Sequence, residues 1–183
     1  GYSINDTTDE NLNVVGVGDT LAKELEENYG ISVIHDKTMH SISYNDSYKR
    51  SRETVQSYLA KYGNFKLIID LHRDAVSESS KSAVTTNING EDLARFMFVV
   101  TKNNPNYDAS VSLATRLTEK SEELFPGLWR GKLMTYNRGS NYFNQDLSAN
   151  SLLVEIGANC NTPQESNNTA RYLARLIAEE LNR

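Results

Sequence analysis

Apolar residues recur along this chain with two different periods, and the changes of period mark its elements. Val14, Val17, Leu21 and Leu25 return at the three-to-four-residue spacing of a helix face, and Gly30 is a natural stop. Ile31 to Ile34 read as a short strand. Tyr48, Arg52, Val55 and Leu59 fall on related faces of a second helix that ends at Gly63. The run Leu67-Ile68-Ile69 predicts a buried strand over Lys66–Leu71. Ala83–Ile88 and Leu93–Val100 flank Asn89-Gly90, a dipeptide that favours a tight reversal, so they are expected to pair as a hairpin.

Leu113, Leu117 and Leu124 mark a third helix, closed by Pro126-Gly127, and Trp129–Met134 reads as a further strand. Leu152-Leu153-Val154-Glu155-Ile156-Gly157 is a strand with one acid set among apolar residues. Thr162-Pro163-Gln164-Glu165 has the form of a capping box with proline at the first helical position. The closing helix turns Leu173, Ala174, Ile177 and Leu181 inward. Residues 1–13, 35–46, 75–82 and 136–150 are polar connections. This order predicts a single α/β domain over residues 1–183, with a mixed, mostly parallel sheet flanked by helices and an inserted β-hairpin.

Composition narrows the picture only a little. With 183 residues, 38% hydrophobic and 23% charged, the chain can bury a real core. A net charge of −5 argues against nucleic acid as the main partner. The single cysteine, Cys160, excludes an intrachain disulfide framework, and with no histidine near it in sequence it reads as packing more than as a nucleophile. No apolar stretch approaches the roughly 18 residues of a membrane span. Gly1 in place of Met suggests a processed or excised piece, so any upstream anchor would lie outside this sequence.

The chemistry concentrates where two strands end. Asp70-Leu71-His72-Arg73-Asp74 follows the first buried strand, and ligands of open α/β sheets bind beyond the carboxyl ends of strands. A ligating imidazole needs an oxygen acceptor for its other N–H, and His72 has acids on both sides. A surface histidine in a salt-bridged turn is the plainer reading. Glu155 points to the face opposite Val154 and Ile156, so a doubly covered sheet buries it. Burial raises a carboxyl pKa toward the range of a general base or acid near neutral pH. The plainer reading is a structural pair with Arg138 or Arg73.

Arg138, Asn144 and Gln145 lie in the connection before the Glu155 strand and are candidate substrate contacts. Asn159 and Asn161 either orient substrate or cap the Thr162 helix. His35 and His40 read as surface residues. His72-Arg73-Asp74 has the letters of a kinase catalytic loop, but no Asp-Phe-Gly follows and Gly16-Val17-Gly18 lacks a third glycine. No Gly-x-Ser-x-Gly elbow or Walker sequence occurs.

Taken in order, several segments resemble the stage II sporulation protein P family, within the zinc-dependent N-acetylmuramoyl-L-alanine amidases. They are Asn13-Val14-Val15-Gly16-Val17-Gly18-Asp19, His35-Asp36-Lys37-Thr38, Ser51-Arg52-Glu53-Thr54-Val55, Ile69-Asp70-Leu71-His72-Arg73-Asp74, Asn144-Gln145-Asp146-Leu147 and Val154-Glu155-Ile156-Gly157. The resemblance implies one Zn²⁺ held by two histidines and a glutamate, with a separate glutamate for proton transfer. On this chain His72 matches the second histidine, Glu155 the proton-transfer acid, and Glu10 the ligand glutamate. The family's first zinc histidine stands in an opening strand, expected upstream of Gly1 because no histidine precedes His35.

The resemblance further implies cleavage of the amide between N-acetylmuramic acid and the L-Ala of the stem peptide, with peptide crosslinks as a second substrate. It implies peptidoglycan and stage II sporulation proteins D and M as partners. The place implied is outside the cytoplasm, at the septum or engulfing membrane of a sporulating bacterium. A non-catalytic peptidoglycan-binding module with an incomplete metal site is the competing expectation. A small-metabolite amidohydrolase or phosphoesterase is a third.

Overall fold

The computed structural model describes residues 9–40, 46–137 and 140–183. Its helices are α1 (Val14–Tyr29), α2 (Ser47–Tyr62), α3 (Tyr107–Leu124) and α4 (Pro163–Leu181). Its strands are β1 (Ile68–Asp74), β2 (Thr85–Ile88), β3 (Glu91–Ala94), β4 (Phe96–Thr101), β5 (Met134–Tyr136) and β6 (Ser151–Ala158). Local chemistry explains most of these boundaries. Asn13 caps α1 by accepting from the Val15 N–H, and Gly30 closes it at φ 63°. At α4 the Thr162 hydroxyl accepts from the Glu165 N–H while the Glu165 carboxylate reaches back to the cap, as its letters predicted.

The main sheet has the order β1-β6-β4-β5. β1 runs parallel to β6 and β4 parallel to β5, while β4 and β6 are antiparallel, so the sheet is mixed and mostly parallel as expected. Alternation then sorts side chains onto two faces. Leu152, Val154 and Ile156 of β6 join Phe96, Phe98 and Val100 of β4 in the main core, against α1, α3 and α4. Phe96, Leu152 and Val100 are fully buried. Burying each such side chain is worth roughly 1.5–3 kcal/mol, which makes this layer the dominant favourable contribution. The opposite face carries a smaller cluster of Met97, Val99 and Leu153, with Met134, Tyr136 and Phe143 packed on it.

Three expectations change. Ile31–Ile34 enters no ladder and runs beside α1, with the Val33 N–H donating to Glu26 Oε1. His35 packs so closely that a Cβ on Gly18 would meet its Nε2 at 2.4 Å. The Asn89-Gly90 hairpin exists, but it pairs β2 only with β3; the chain then breaks at Arg95, and β4 joins the main sheet. The apolar run Leu93–Val100 is thus two strands, because Leu93 and Ala94 cover α4 while Phe96 onward fills the sheet centre. The last strand before residue 140 is Met134–Tyr136, with Trp129 making a single bridge to Phe96.

Candidate active site

The second face of the sheet carries the chemistry. β1 pairs with β6 so that Asp70 lies beside Leu153 and His72 beside Glu155. Neighbouring strands are about 4.8 Å apart, and paired residues in a parallel ladder project to the same face. One residue further the register slips, and Asp74 sits opposite Ala158. The slip is a bulge made by Gly157 at φ 68°. No other residue fits there, since a Cβ would meet Asn161 Oδ1 at 2.5 Å and the Ala94 Cβ at 2.6 Å.

His72 donates from Nε2 to Asp70 Oδ1 at 2.9 Å, two residues back on the same strand face. That fixes the imidazole and leaves Nδ1 as the nitrogen open to another partner. Burial works against a charged ring, but the Asp70 and Glu155 carboxylates outweigh it and raise the His72 pKa to about 9. The Tyr48 ring, at the start of α2, lies within 6° of parallel to the His72 ring, centroids 6.3 Å apart. Tyr48 in turn meets Phe143 at 5.3 Å.

Glu155 is the one residue of β6 that is only partly buried. Its Oε2 is shielded from solvent and has no hydrogen-bond partner among the described residues. Burial pushes its pKa up to about 7, against the opposing pull of His72 and, more weakly, Arg130. A carboxyl group poised near neutrality, its Oε2 without a hydrogen-bond partner among the described residues, can take and return a proton. The stitch behind it is Arg130, which donates to Asp74 Oδ2 at 2.6 Å and to the Gly157 carbonyl at 2.7 Å, tying the ends of β1 and β6 together.

The remaining sequence candidates lie as follows. Glu10, in the 3-10 turn Glu10–Leu12, is half exposed and accepts from Lys37 Nζ at 2.9 Å, which also donates to Asp19 at 2.7 Å. Gln145 is fully buried and caps β4, donating to the Val99 carbonyl at 2.8 Å and accepting from the Thr101 N–H at 3.3 Å. Asn144 donates to Ser51 Oγ at 2.8 Å and to the Tyr48 carbonyl at 3.4 Å. The amides of Asn144 and Gln145 are thus engaged with the protein itself. Arg138 lies outside the described residues.

Asn161 is structural: it accepts from the Ala158 N–H at 2.8 Å and donates to Glu165 at 2.7 Å. Asn159 accepts from the Val76 N–H at 2.9 Å and steadies the loop after β1. His35 and His40 turn to Asp19 and Thr54 respectively, and Cys160 is core.

Sequence reasoning missed Tyr48 and Arg130. Neither stands in a motif with its partner, and only the folded chain brings the start of α2 over His72 or the Trp129-Arg130 segment under Asp74.

The zinc expectation is tested by the donor set. His72 has the orientation of a ligand, with an acceptor behind its second nitrogen. Among the described residues, however, no three His, Cys, Asp or Glu side chains gather closely enough to hold a metal ion. These donors do not make a zinc site by themselves.

The sheet, flanked by helices, presents an imidazole and a partly buried acid on one face. The fold is that of the CwlD amidase from Clostridioides difficile, whose structure was solved in complex with the GerS lipoprotein. The two agree with a TM-score of 0.52 at 16% identity, over 91% of this chain and 85% of that one. Residues 2–178 match the profile of the Stage II sporulation protein P (SpoIIP) family, and the chain belongs to that family. It is 34% identical over 175 residues to Stage II sporulation protein P of Bacillus subtilis (strain 168), covering 91% of this chain. The match spans 43% of that relative's length. No helix among the described residues is long and apolar enough to cross a membrane.

Proposed function

We propose that this chain is the catalytic domain of a peptidoglycan hydrolase of sporulation. Its bond is the amide between N-acetylmuramic acid and the L-Ala of the stem peptide, with peptide crosslinks as a second substrate. The observation that carries this reading is the Glu155 carboxyl, with its Oε2 shielded and without a hydrogen-bond partner among the described residues, beside His72 on the adjacent strand. Glu155 takes a proton from the attacking water as the oxygen bonds to the scissile carbonyl carbon. It returns the proton to the leaving L-Ala nitrogen as the C–N bond breaks, leaving a lactyl carboxylic acid, which then ionises, and a free amine. Family membership supports this assignment, as does the fold shared with the CwlD amidase.

By the same reading the protein works outside the cytoplasm at the septum or engulfing membrane, anchored by a segment outside this sequence. Stage II sporulation proteins D and M are its proposed partners. Zn²⁺ is the proposed cofactor, with His72 as the ligand this chain brings to the site. Incubation with purified sacculi, with and without chelator, tests the activity through stem peptides detected by mass spectrometry. Freed peptides ending in an N-terminal L-Ala are expected. Binding to sacculi without any released peptide, with zinc present, overturns the reading in favour of a binding module. Metal analysis of wild type and His72→Ala tests the cofactor: equal zinc content in both rejects His72 as ligand.

A further inference from the structure

The wall beside the catalytic pair is built from residues distant in sequence and held in an unusual backbone. Tyr142, Phe143 and Asn144 stand consecutively in the left-handed region, at φ 53°, 52° and 57°, although none is glycine. Side chains with a Cβ rarely adopt this conformation, and a run of three persists only where surrounding contacts impose it. Those contacts converge on Tyr48. Phe143 packs against the Tyr48 ring, tilted by 54°, and also meets the Tyr136 ring. Asn144, almost fully buried, donates to the Tyr48 carbonyl and to Ser51 one turn along α2, and its Oδ1 is buried without a partner. Just beyond, Arg52 makes a bidentate pair with Asp146 at 2.8 and 2.7 Å. The segment thus grips the first turns of α2, a helix with no fully buried residue of its own.

We propose that Tyr48 is a positioning residue for His72, and that the left-handed run Tyr142–Asn144 is the brace that holds it. Asp70 fixes His72 within the strand by one hydrogen bond, which leaves rotation about that bond open. The parallel Tyr48 ring closes that freedom by setting the plane of the imidazole. A hydrogen bond along one edge and a ring against one face define an orientation that neither defines alone. The inference rests on the proposed role of the His72–Glu155 face. It adds that α2, attached chiefly through this brace, must be docked for the site to be assembled.

The test compares the wild-type chain with Tyr48→Leu, Tyr48→Phe and Phe143→Leu. Tyr48→Leu keeps apolar bulk and loses the flat ring. Its kcat on sacculi is expected to fall roughly 10- to 100-fold with KM within about twofold, while Tyr48→Phe restores kcat. Phe143→Leu leaves the Tyr48 ring in place but loosens its support. The NMR resonances of the His72 carbon-bound ring protons should therefore move in that variant, because the ring current they feel depends on the stack. An unshifted His72 resonance in Phe143→Leu overturns the brace. Wild-type kcat in Tyr48→Leu, or no rescue by Tyr48→Phe, overturns the positioning role. If no form releases stem peptides, the proposed activity fails, and the His72 resonances of Phe143→Leu still decide what Tyr48 does.

Discussion

His72 and Glu155 occupy the same rung of the β1–β6 ladder, with an imidazole and a carboxyl projecting side by side from one face. The rung explains both perturbed groups. Glu155 sits toward the sheet interior, where burial favours its neutral form, and His72 gains its charge from Asp70 and from Glu155 itself. Just beyond, the bulge at Gly157 shifts the register, so that Asp74 pairs with Ala158.

Glu155→Gln removes the proton carrier and retains its shape. Release of stem peptides should fall by about 10²- to 10⁴-fold. Thermal stability should not drop, because burial disfavours the charged form that the amide removes. Turnover within a few-fold of wild type would reject the assigned role.

Gly157→Ala puts a Cβ into contacts of 2.5 and 2.6 Å while holding a left-handed backbone. A loss of more than about 2 kcal/mol in urea unfolding is expected, since both strain and overlap act together. A change under about 0.5 kcal/mol would mean that the bulge relaxes freely.

Tyr142→Gly has the opposite sign. Tyr142 is exposed and left-handed, so its side chain contributes little packing while its backbone stores strain. Removing the Cβ should raise stability by about 1 kcal/mol, reduced somewhat by the greater freedom of glycine in the unfolded chain. A destabilised variant would show that the Tyr142 side chain does more than occupy the turn.

Asp36 predicts a pH dependence. Partial burial pushes its carboxyl up, but the Thr38 backbone N–H and side chain and the Tyr58 hydroxyl hold it below the ordinary value of 3.8. A lowered folded-state pKa contributes stability above the unfolded value and loses it as pH falls through the folded one. Asp36→Asn should therefore be less stable than wild type near neutral pH. The gap should close as pH drops below 3.8. Melting curves across that range check it, and a gap independent of pH would contradict the charge-based account.

How far the sequence carried depends on whether an element is defined by its neighbours in the chain. The caps of α1 and α4 and the inward acid at position 155 were legible, because capping and alternation act within a few residues. The split of Leu93–Val100 was not. Its apolar letters satisfy a hairpin strand and a central strand equally, and only packing against α4 on one side and β6 on the other divides them. Gln145 reads as a loop amide but becomes a buried cap on β4, and nothing local announces the backbone it serves.

The sequence by itself determined which candidate residues the strands carry and which way each strand turns them, since periodicity and charge are written residue by residue. The tertiary structure alone decided that β1 lies against β6 in the register that joins His72 to Glu155. It also decided that Tyr48 stacks beside His72 and that Phe143 of the Tyr142–Asn144 turn packs on Tyr48. Strand order and register follow from hydrogen bonds and packing between distant segments, whose free energy exists only once the chain has closed on itself.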